Sequence, residues 1–281
     1  MGFRTSGRQR RALLDLLGLP HDLPADAEPG RSSISVAALR SVLTELPRPE
    51  LAEWLGPEQW LAGGAVLRWL CGTKSRRGHT EDHDFYFPSV RGLNAAGRRF
   101  MDRGYRFRCF RSRRVMCQLC GRAGEEVPGA AWPTEFLPVR RVRCAVCGDF
   151  GGRDAASLPP ERLLQLTPEL IDENGIFALE LVAPNGSGMV HLAAIAIKPT
   201  PYEVVTGFDF SIVQFALDDS HLHFGPHAWT DLLRGRLRLE VSNSPVDNFV
   251  RLKKYRDRGF RPYLETVMRV AFHKALGPPD A

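Results

Sequence analysis

The sequence predicts an α+β fold with a small insertion that carries four cysteines. Three observations predict it. Short apolar runs with period-two alternation recur through the middle of the chain, as half-buried strands do. Segments with apolar residues three and four apart stand towards both ends, as amphipathic helices do. Residues 111–154 show neither period, yet hold Cys117-Gln-Leu-Cys120 and Cys144-Ala-Val-Cys147. With 281 residues the chain suffices for one large domain or two small ones.

Arg8 to Leu19 has helical spacing, with Leu13, Leu14, Leu16 and Leu17 on its apolar side. Pro20 to Ser33 is rich in Pro, Asp and Gly and reads as a linker. Ser35 is placed to cap a helix over Val36 to Leu46, stopped by Pro47 and Pro49. A second short helix follows at Glu50 to Leu55. Trp60-Leu61-Ala62 leads into the glycine pair Gly63-Gly64, which opens a helix over Ala65 to Cys71. Lys74 to Thr80 is a basic loop. Asp82 to Phe87 is a strand stopped by Pro88. Leu93 to Arg103 is a helix ended by Gly104. Tyr105 to Phe110 alternates, with Tyr105, Phe107 and Cys109 facing one way.

Past the insertion, Phe177 to Val182 and Met189 to Ile197 flank Asn185-Gly186-Ser187-Gly188 and read as a hairpin. Pro201 to Gly207 is one helical turn, and Phe208 to Leu217 reads as a further apolar strand. Helices are expected over Ala228 to Leu233, Val246 to Arg258 and Pro262 to Leu276. The organisation is therefore a basic, helical region over 1–55 and a main domain over 56–281, interrupted by an insertion over 112–154.

A net charge of +6 favours an acidic partner such as nucleotide or nucleic acid, although an arginine-rich chain need signify no more than solubility. No apolar run reaches the roughly 18 residues of a membrane span, so no membrane partner is expected. The N-terminus carries Arg4, Arg8, Arg10 and Arg11 without the apolar core of a secretory signal, which points to a cytoplasmic protein.

Asp82-His83-Asp84 is the most informative feature. Alternation on a strand puts both carboxylates on one face. Two carboxylates fixed that close repel unless a cation lies between them. Hard oxygen ligands suit Mg²⁺, which takes one or two carboxylates together with phosphate oxygens of a substrate. The alternative is a strand end with two solvated acids. The two C-x-x-C pairs, each followed by glycine (Gly121, Gly148), suit one structural Zn²⁺ bound by Cys117, Cys120, Cys144 and Cys147 in a zinc ribbon. His221, His223 and His227 are a weaker metal cluster, because histidines at strand edges are far more often simply solvated.

Arginines and aromatics interleave from Arg98 to Arg114, an arrangement suited to phosphate contact and base stacking. The alternative is that the aromatics are core and only the arginines are exposed.

The pieces Gly63-Gly64-Ala65-Val66-Leu67-Arg68, Glu81-Asp82-His83-Asp84-Phe85 and Phe208-Asp209-Phe210 stand in an order and spacing similar to the nucleotidyltransferase superfamily that includes DNA polymerase beta. The segment Arg251 to Phe260 resembles the late helix of some members. The resemblance covers Trp60 to Phe260 apart from the insertion, and departs at Ala65, where many members have a phosphate-binding serine. It implies a nucleotidyltransferase-like mixed sheet flanked by helices. It further implies that Asp82, Asp84 and Asp209 hold Mg²⁺ or Mn²⁺ and are catalytic; Asp209 pairing with an arginine is the alternative. Gly63, Gly64, Arg68, Lys74, Arg251 and Lys254 would bind the triphosphate. The expected activity is transfer of a nucleoside monophosphate from an NTP to a hydroxyl, with RNA such as tRNA as one acceptor. Small-molecule or protein acceptors, and a non-catalytic nucleic-acid-binding zinc protein, are the alternatives.

Overall fold

The structure is a computed structural model. It describes residues 3, 5–46, 52–56, 58–72, 81–112, 166–174, 176–184, 186, 188–194, 197–241 and 245–276, together with short strands between 125 and 150. In chain order the elements begin α1 (Gly7–Leu17), β1 (Ser33–Ser35), α2 (Val36–Val42), β2 (Trp60–Ala62), α3 (Gly64–Leu70), β3 (Glu81–Tyr86), α4 (Val90–Asp102) and β4 (Arg106–Ser112). The short strands β5 (Glu125–Glu126), β6 (Trp132–Pro133), β7 (Pro138–Val139), β8 (Val142–Cys144) and β9 (Gly148–Phe150) follow. Then come α5 (Pro168–Asn174), β10 (Ile176–Val182), β11 (Gly188–Ala193), α6 (Pro201–Val205), β12 (Phe215–Leu217) and β13 (His221–Phe224). The chain closes with α7 (Ala228–Arg234), β14 (Arg236–Leu237), α8 (Pro245–Asp257), β15 (Arg261–Pro262) and α9 (Leu264–Leu276). The fold is mixed α+β, as expected. The chain divides into two compact units, residues 1–77 with 200–281, and residues 78–199.

Local chemistry explains most boundaries. Ser6 and Gln9 form a reciprocal capping box on α1, and Gly18 ends it at φ 66°, a conformation glycine adopts without a Cβ clash. The Ser35 hydroxyl accepts from Ala38 N–H, as its position predicts, but α2 stops at Val42, four residues short of the expected end. Of the helix expected over Glu50 to Leu55, the described residues 52–55 hold a 3₁₀ turn at Ala52–Trp54. Ser89 caps α4 by accepting from Gly92 N–H, and Gly104 follows the helix at φ 86°.

In the first unit, β12 pairs antiparallel with β2 and with β13, and β13 pairs antiparallel with β1. Trp229 is fully buried and meets Phe3, Phe215 and Phe224 edge-on, with ring centroids 5.9, 5.3 and 6.1 Å away. Each such aromatic contributes roughly 2–3 kcal/mol by burial.

The Pro20 to Ser33 segment is not a free linker. Thr230 Oγ1 donates to Ala27 O at 2.6 Å, Arg234 Nη1 to Leu23 O at 2.6 Å, and Leu23 itself is 1% exposed. The expected strand over Phe208 to Leu217 is also corrected: only Phe215–Leu217 is a strand, preceded by a 3₁₀ turn at Ser211–Val213.

A Cβ on Gly225 would lie 2.1 Å from Gln214 Oε1 and 3.0 Å from Gln214 Cβ. Gln214 cannot easily retreat, being 2% exposed and tied through Nε2 to Phe208 O at 3.1 Å. Gly225→Ala is expected to destabilise the protein by about 1–3 kcal/mol through overpacking, read as a lower urea midpoint with unchanged m-value.

In the second unit, β3 runs parallel to β11, β11 pairs antiparallel with β10, and β10 pairs antiparallel with β4. The expected hairpin is therefore present. Helix α4 packs against one face of this sheet: Phe100 meets Phe85 and Tyr105 edge-on, with centroids 5.4 and 5.0 Å apart. Phe100 is fully buried and Phe107 is 5% exposed, so these two aromatics of the arginine-rich stretch are core. Arg98, Arg99, Arg103, Arg106 and Arg108 are exposed.

Candidate functional site

Strand β3 carries the acid pair. Alternation puts Asp82 and Asp84 on the face opposite Phe85, hence opposite α4. Asp82 is exposed, and the Asp84 side chain is 39% exposed. Both sit on a paired strand rather than a loop, so their spacing is fixed by the ladder.

Register supplies the surroundings. His191 of β11 stands opposite Asp84, and Glu180 of β10 stands opposite His191. Three adjacent strands therefore present Asp84, His191 and Glu180 as cross-strand neighbours. His191 Nδ1 lies 2.9 Å from Asp84 Oδ1. A carboxylate only accepts, so Nδ1 carries the proton. Nε2 lies 3.4 Å from Glu180 Oε1, a charge contact too long for a good hydrogen bond. Arg108 Nη1 approaches Glu180 Oε2 at 3.6 Å and donates to Met189 Sδ at 2.9 Å. The register shifts between Glu180 and Leu181, where Cys109 and Phe107 are the successive partners and Arg108 is the extra residue. Over the described side chains the expected alternation holds, with Phe107 buried between exposed Arg106 and Arg108.

The His191 side chain is 13% exposed and that of Glu180 is 7% exposed. Burial alone would depress the imidazole pKa, but the hydrogen bond to Asp84 and the negative charges of Asp84 and Glu180 outweigh it and raise the pKa to about 9. A histidine raised in the folded state adds stability that is complete below its unfolded value, near 6.5, and is lost as pH rises through about 9. The melting temperature is expected to fall between pH 7 and pH 10, and to fall less in His191→Gln. Parallel slopes in the two proteins would contradict this.

The other expected residues fall in the first unit or outside the described residues. Gly63 precedes α3 at φ 71°, where a side chain would be strained, and its N–H donates to Phe215 O at 2.9 Å. A methyl on Gly64 would sit 3.8 Å from Arg68 Nη1, so Arg68 lies along the start of its own helix. Asp209 is 1% exposed; Oδ2 accepts from Arg251 Nη1 at 2.7 Å and Oδ1 from Phe210 N–H at 3.0 Å. This is the arginine pairing that the sequence admits as the alternative to metal binding. Burial would lower the Arg251 pKa, but Asp209 holds it above the ordinary value. Lys254 Nζ lies 5.9 Å from the centroid of the Tyr255 ring, which is buried edge-on against Phe210. Asp82 and Asp84 thus belong to one unit, and Gly63, Gly64, Arg68, Asp209, Arg251 and Lys254 to the other.

Lys74, Cys117, Cys120 and Cys147 lie outside the described residues, and Cys144 is described only as the end of β8, paired with Gly148 of β9. The weaker histidine cluster has other partners: His223 meets Asp218 at 2.8 Å, His221 meets Ser220 Oγ at 2.9 Å and His227 meets Glu240 at 2.9 Å. Among the described residues, no group of three His, Cys, Asp or Glu is arranged to hold a metal, and no helix is long and apolar enough to cross a membrane.

Sequence reasoning missed His191 and Glu180. Its one available signal was a charged residue inside the apolar run Phe177 to Val182, which in a core strand demands a partner.

No protein-family model matches the chain, and no curated protein matches it. Solved structures of CCA-adding enzymes are similar at low identity. One, in complex with CTP, has 14% identity and a TM-score of 0.47, over 88% of this chain and 47% of its own. A second, in complex with ATP, has 15% identity and a TM-score of 0.45, over 88% and 46%. The Thermotoga maritima enzyme complexed with tRNA has 15% identity and a TM-score of 0.44, over 85% and 45%. The chain spans about half the length of these proteins.

Proposed function

We propose that this chain is a metal-dependent nucleotidyltransferase that moves a nucleoside monophosphate from an NTP to a hydroxyl acceptor. The observation that carries this reading is the pair Asp82 and Asp84 on one face of β3, held in a paired strand. The donor set fits a hard divalent ion: two carboxylates, with further oxygens left for substrate phosphate. Asp82 and Asp84 would hold Mg²⁺ or Mn²⁺, which when bound neutralises phosphate charge and polarises the phosphorus. The acceptor oxygen attacks the α-phosphorus in line, the bond to pyrophosphate breaks, and the hydroxyl proton leaves to solvent.

Asp209 enters this reading differently from Asp82 and Asp84. Its oxygens bind Arg251 and the Phe210 N–H, so in this reading it anchors the α8 arginine. The exposed arginines Arg98, Arg99, Arg103, Arg106 and Arg108 favour a polyanionic acceptor, RNA such as tRNA, over a small molecule. Structural Zn²⁺ on the four cysteines remains part of the proposal, and metal analysis of protein purified without chelator tests it.

The site is tested by thermal shift. A non-hydrolysable NTP with Mg²⁺ at 100 times its Kd should add about 2.7 kcal/mol of stability. The gain should vanish without the metal or in the Asp82→Asn/Asp84→Asn variant. No shift with any of the four bases would contradict the reading.

One observation favours a second reading, a non-catalytic nucleic-acid-binding protein: Asp84 already has a cationic partner in His191. Steeply salt-dependent RNA binding, unaffected by substitution of Asp82 or Asp84 and without turnover, would select it.

A further inference from the structure

We infer that His191, backed by Glu180 and Arg108, is a positioning residue that holds Asp84 in the orientation used for nucleotide transfer; the inference rests on the proposed reading of Asp82 and Asp84. Asp84 is 39% exposed, so water alone would leave its carboxylate several rotamers. The Nδ1–H of His191 selects one by binding Oδ1 at 2.9 Å. Oδ2 is then the oxygen not bonded to His191.

The imidazole cannot simply follow Asp84, because its far nitrogen faces the buried Glu180 at 3.4 Å. Glu180 is in turn approached by Arg108 at 3.6 Å from the other side. Four side chains on four consecutive strands thus run from an exposed arginine to the metal-binding acid. Such support around a ligand fixes its orientation and tunes the metal site, and its loss is expected to cost ten-fold or more in activity.

The arrangement has a consequence that a purely structural bond lacks. A hydrogen bond on Oδ1 competes with a cation for the same carboxylate. Removing it should give the metal a fuller ligand while releasing the geometry needed for reaction. Affinity and turnover should therefore move in opposite directions.

The test compares His191→Leu, which cannot donate, with His191→Gln, whose amide can donate to Asp84. Mn²⁺ binding is measured by electron paramagnetic resonance of the free ion, kcat by pyrophosphate release and folding by thermal melting. His191→Leu should bind Mn²⁺ at least three-fold more tightly and lose ten-fold or more in kcat; His191→Gln should stay within three-fold of wild type in both. Wild-type Mn²⁺ affinity in the Leu variant would overturn the inference. So would equal losses in Leu and Gln, which would mark a folding role. If the wild type binds Mn²⁺ but transfers no nucleotide, the functional reading fails, and the contrast in Mn²⁺ affinity between Leu and Gln still decides the role of His191. If the wild type binds no Mn²⁺, both fail.

Discussion

Asp84→Ala is expected to lose about 10³-fold or more in nucleotide transfer while the protein stays folded. In the proposed reading the loss is large because the acid, through the ion it would hold, acts on charge that develops in the transition state, where electrostatic groups have their greatest effect. The structural cost is small for a reason visible in the fold. Asp84 is 39% exposed and makes its one described bond to His191, which keeps its contact with Glu180. Loss of one such bond is worth roughly 1–2 kcal/mol. Single-turnover kinetics beside a thermal melt separate the two quantities. A ten-fold effect or less on transfer would remove Asp84 from the chemistry, and a melt typical of an unfolded chain would make it structural.

The largest expected effect on stability lies in the first unit. Asp231 of α7 is fully buried, yet both of its oxygens are used. Oδ2 accepts from Ser211 Oγ at 2.7 Å and from Arg238 Nε at 3.0 Å, and Oδ1 accepts from the Tyr263 hydroxyl at 2.9 Å. These partners come from the 3₁₀ turn, from the segment after β14 and from the residue that precedes α9. Arg238 also reaches Ala25 O in the proline-rich segment, so one carboxylate joins four stretches of chain. Asp231→Ala is expected to cost about 3–5 kcal/mol, since it leaves a partly buried arginine and two hydroxyls without their acceptor. Urea denaturation measures it. A loss below about 1 kcal/mol would show that the network is not cooperative.

Much of this architecture is legible locally. Ser35 caps its helix where it stands in the sequence, Gly104 stops the preceding helix, and the glycine turn joins β10 to β11 as the pattern predicts. The failures have physical causes. Phe208 to Leu217 looks like a strand because it is apolar, but Asp209 caps the next backbone N–H and Ser211 and Gln214 are buried, so the chain turns instead. Pro20 to Ser33 looks free because its composition is that of a loop; carbonyl contacts from Thr230, Arg234 and Arg238 fix it across some 200 residues of sequence. The same holds at the candidate site. Asp82 and Asp84 are readable from period-two alternation alone. His191 and Glu180 become neighbours only through the register of three strands, 107 residues of sequence apart in the case of His191 and Asp84. Asp209 and Arg251 pair across 42 residues, and no local pattern announces it.

The proposed role of the β3 acids is nucleotide transfer. The most direct measurement follows α-phosphate label from each of the four NTPs, with Mg²⁺ or Mn²⁺, into RNA, protein and small-molecule fractions of a cell extract, with the Asp82→Ala/Asp84→Ala variant alongside. Label is expected in the RNA fraction from wild-type protein and not from the variant. Equal labelling by the two proteins, or none in any fraction from folded wild-type protein, would contradict it.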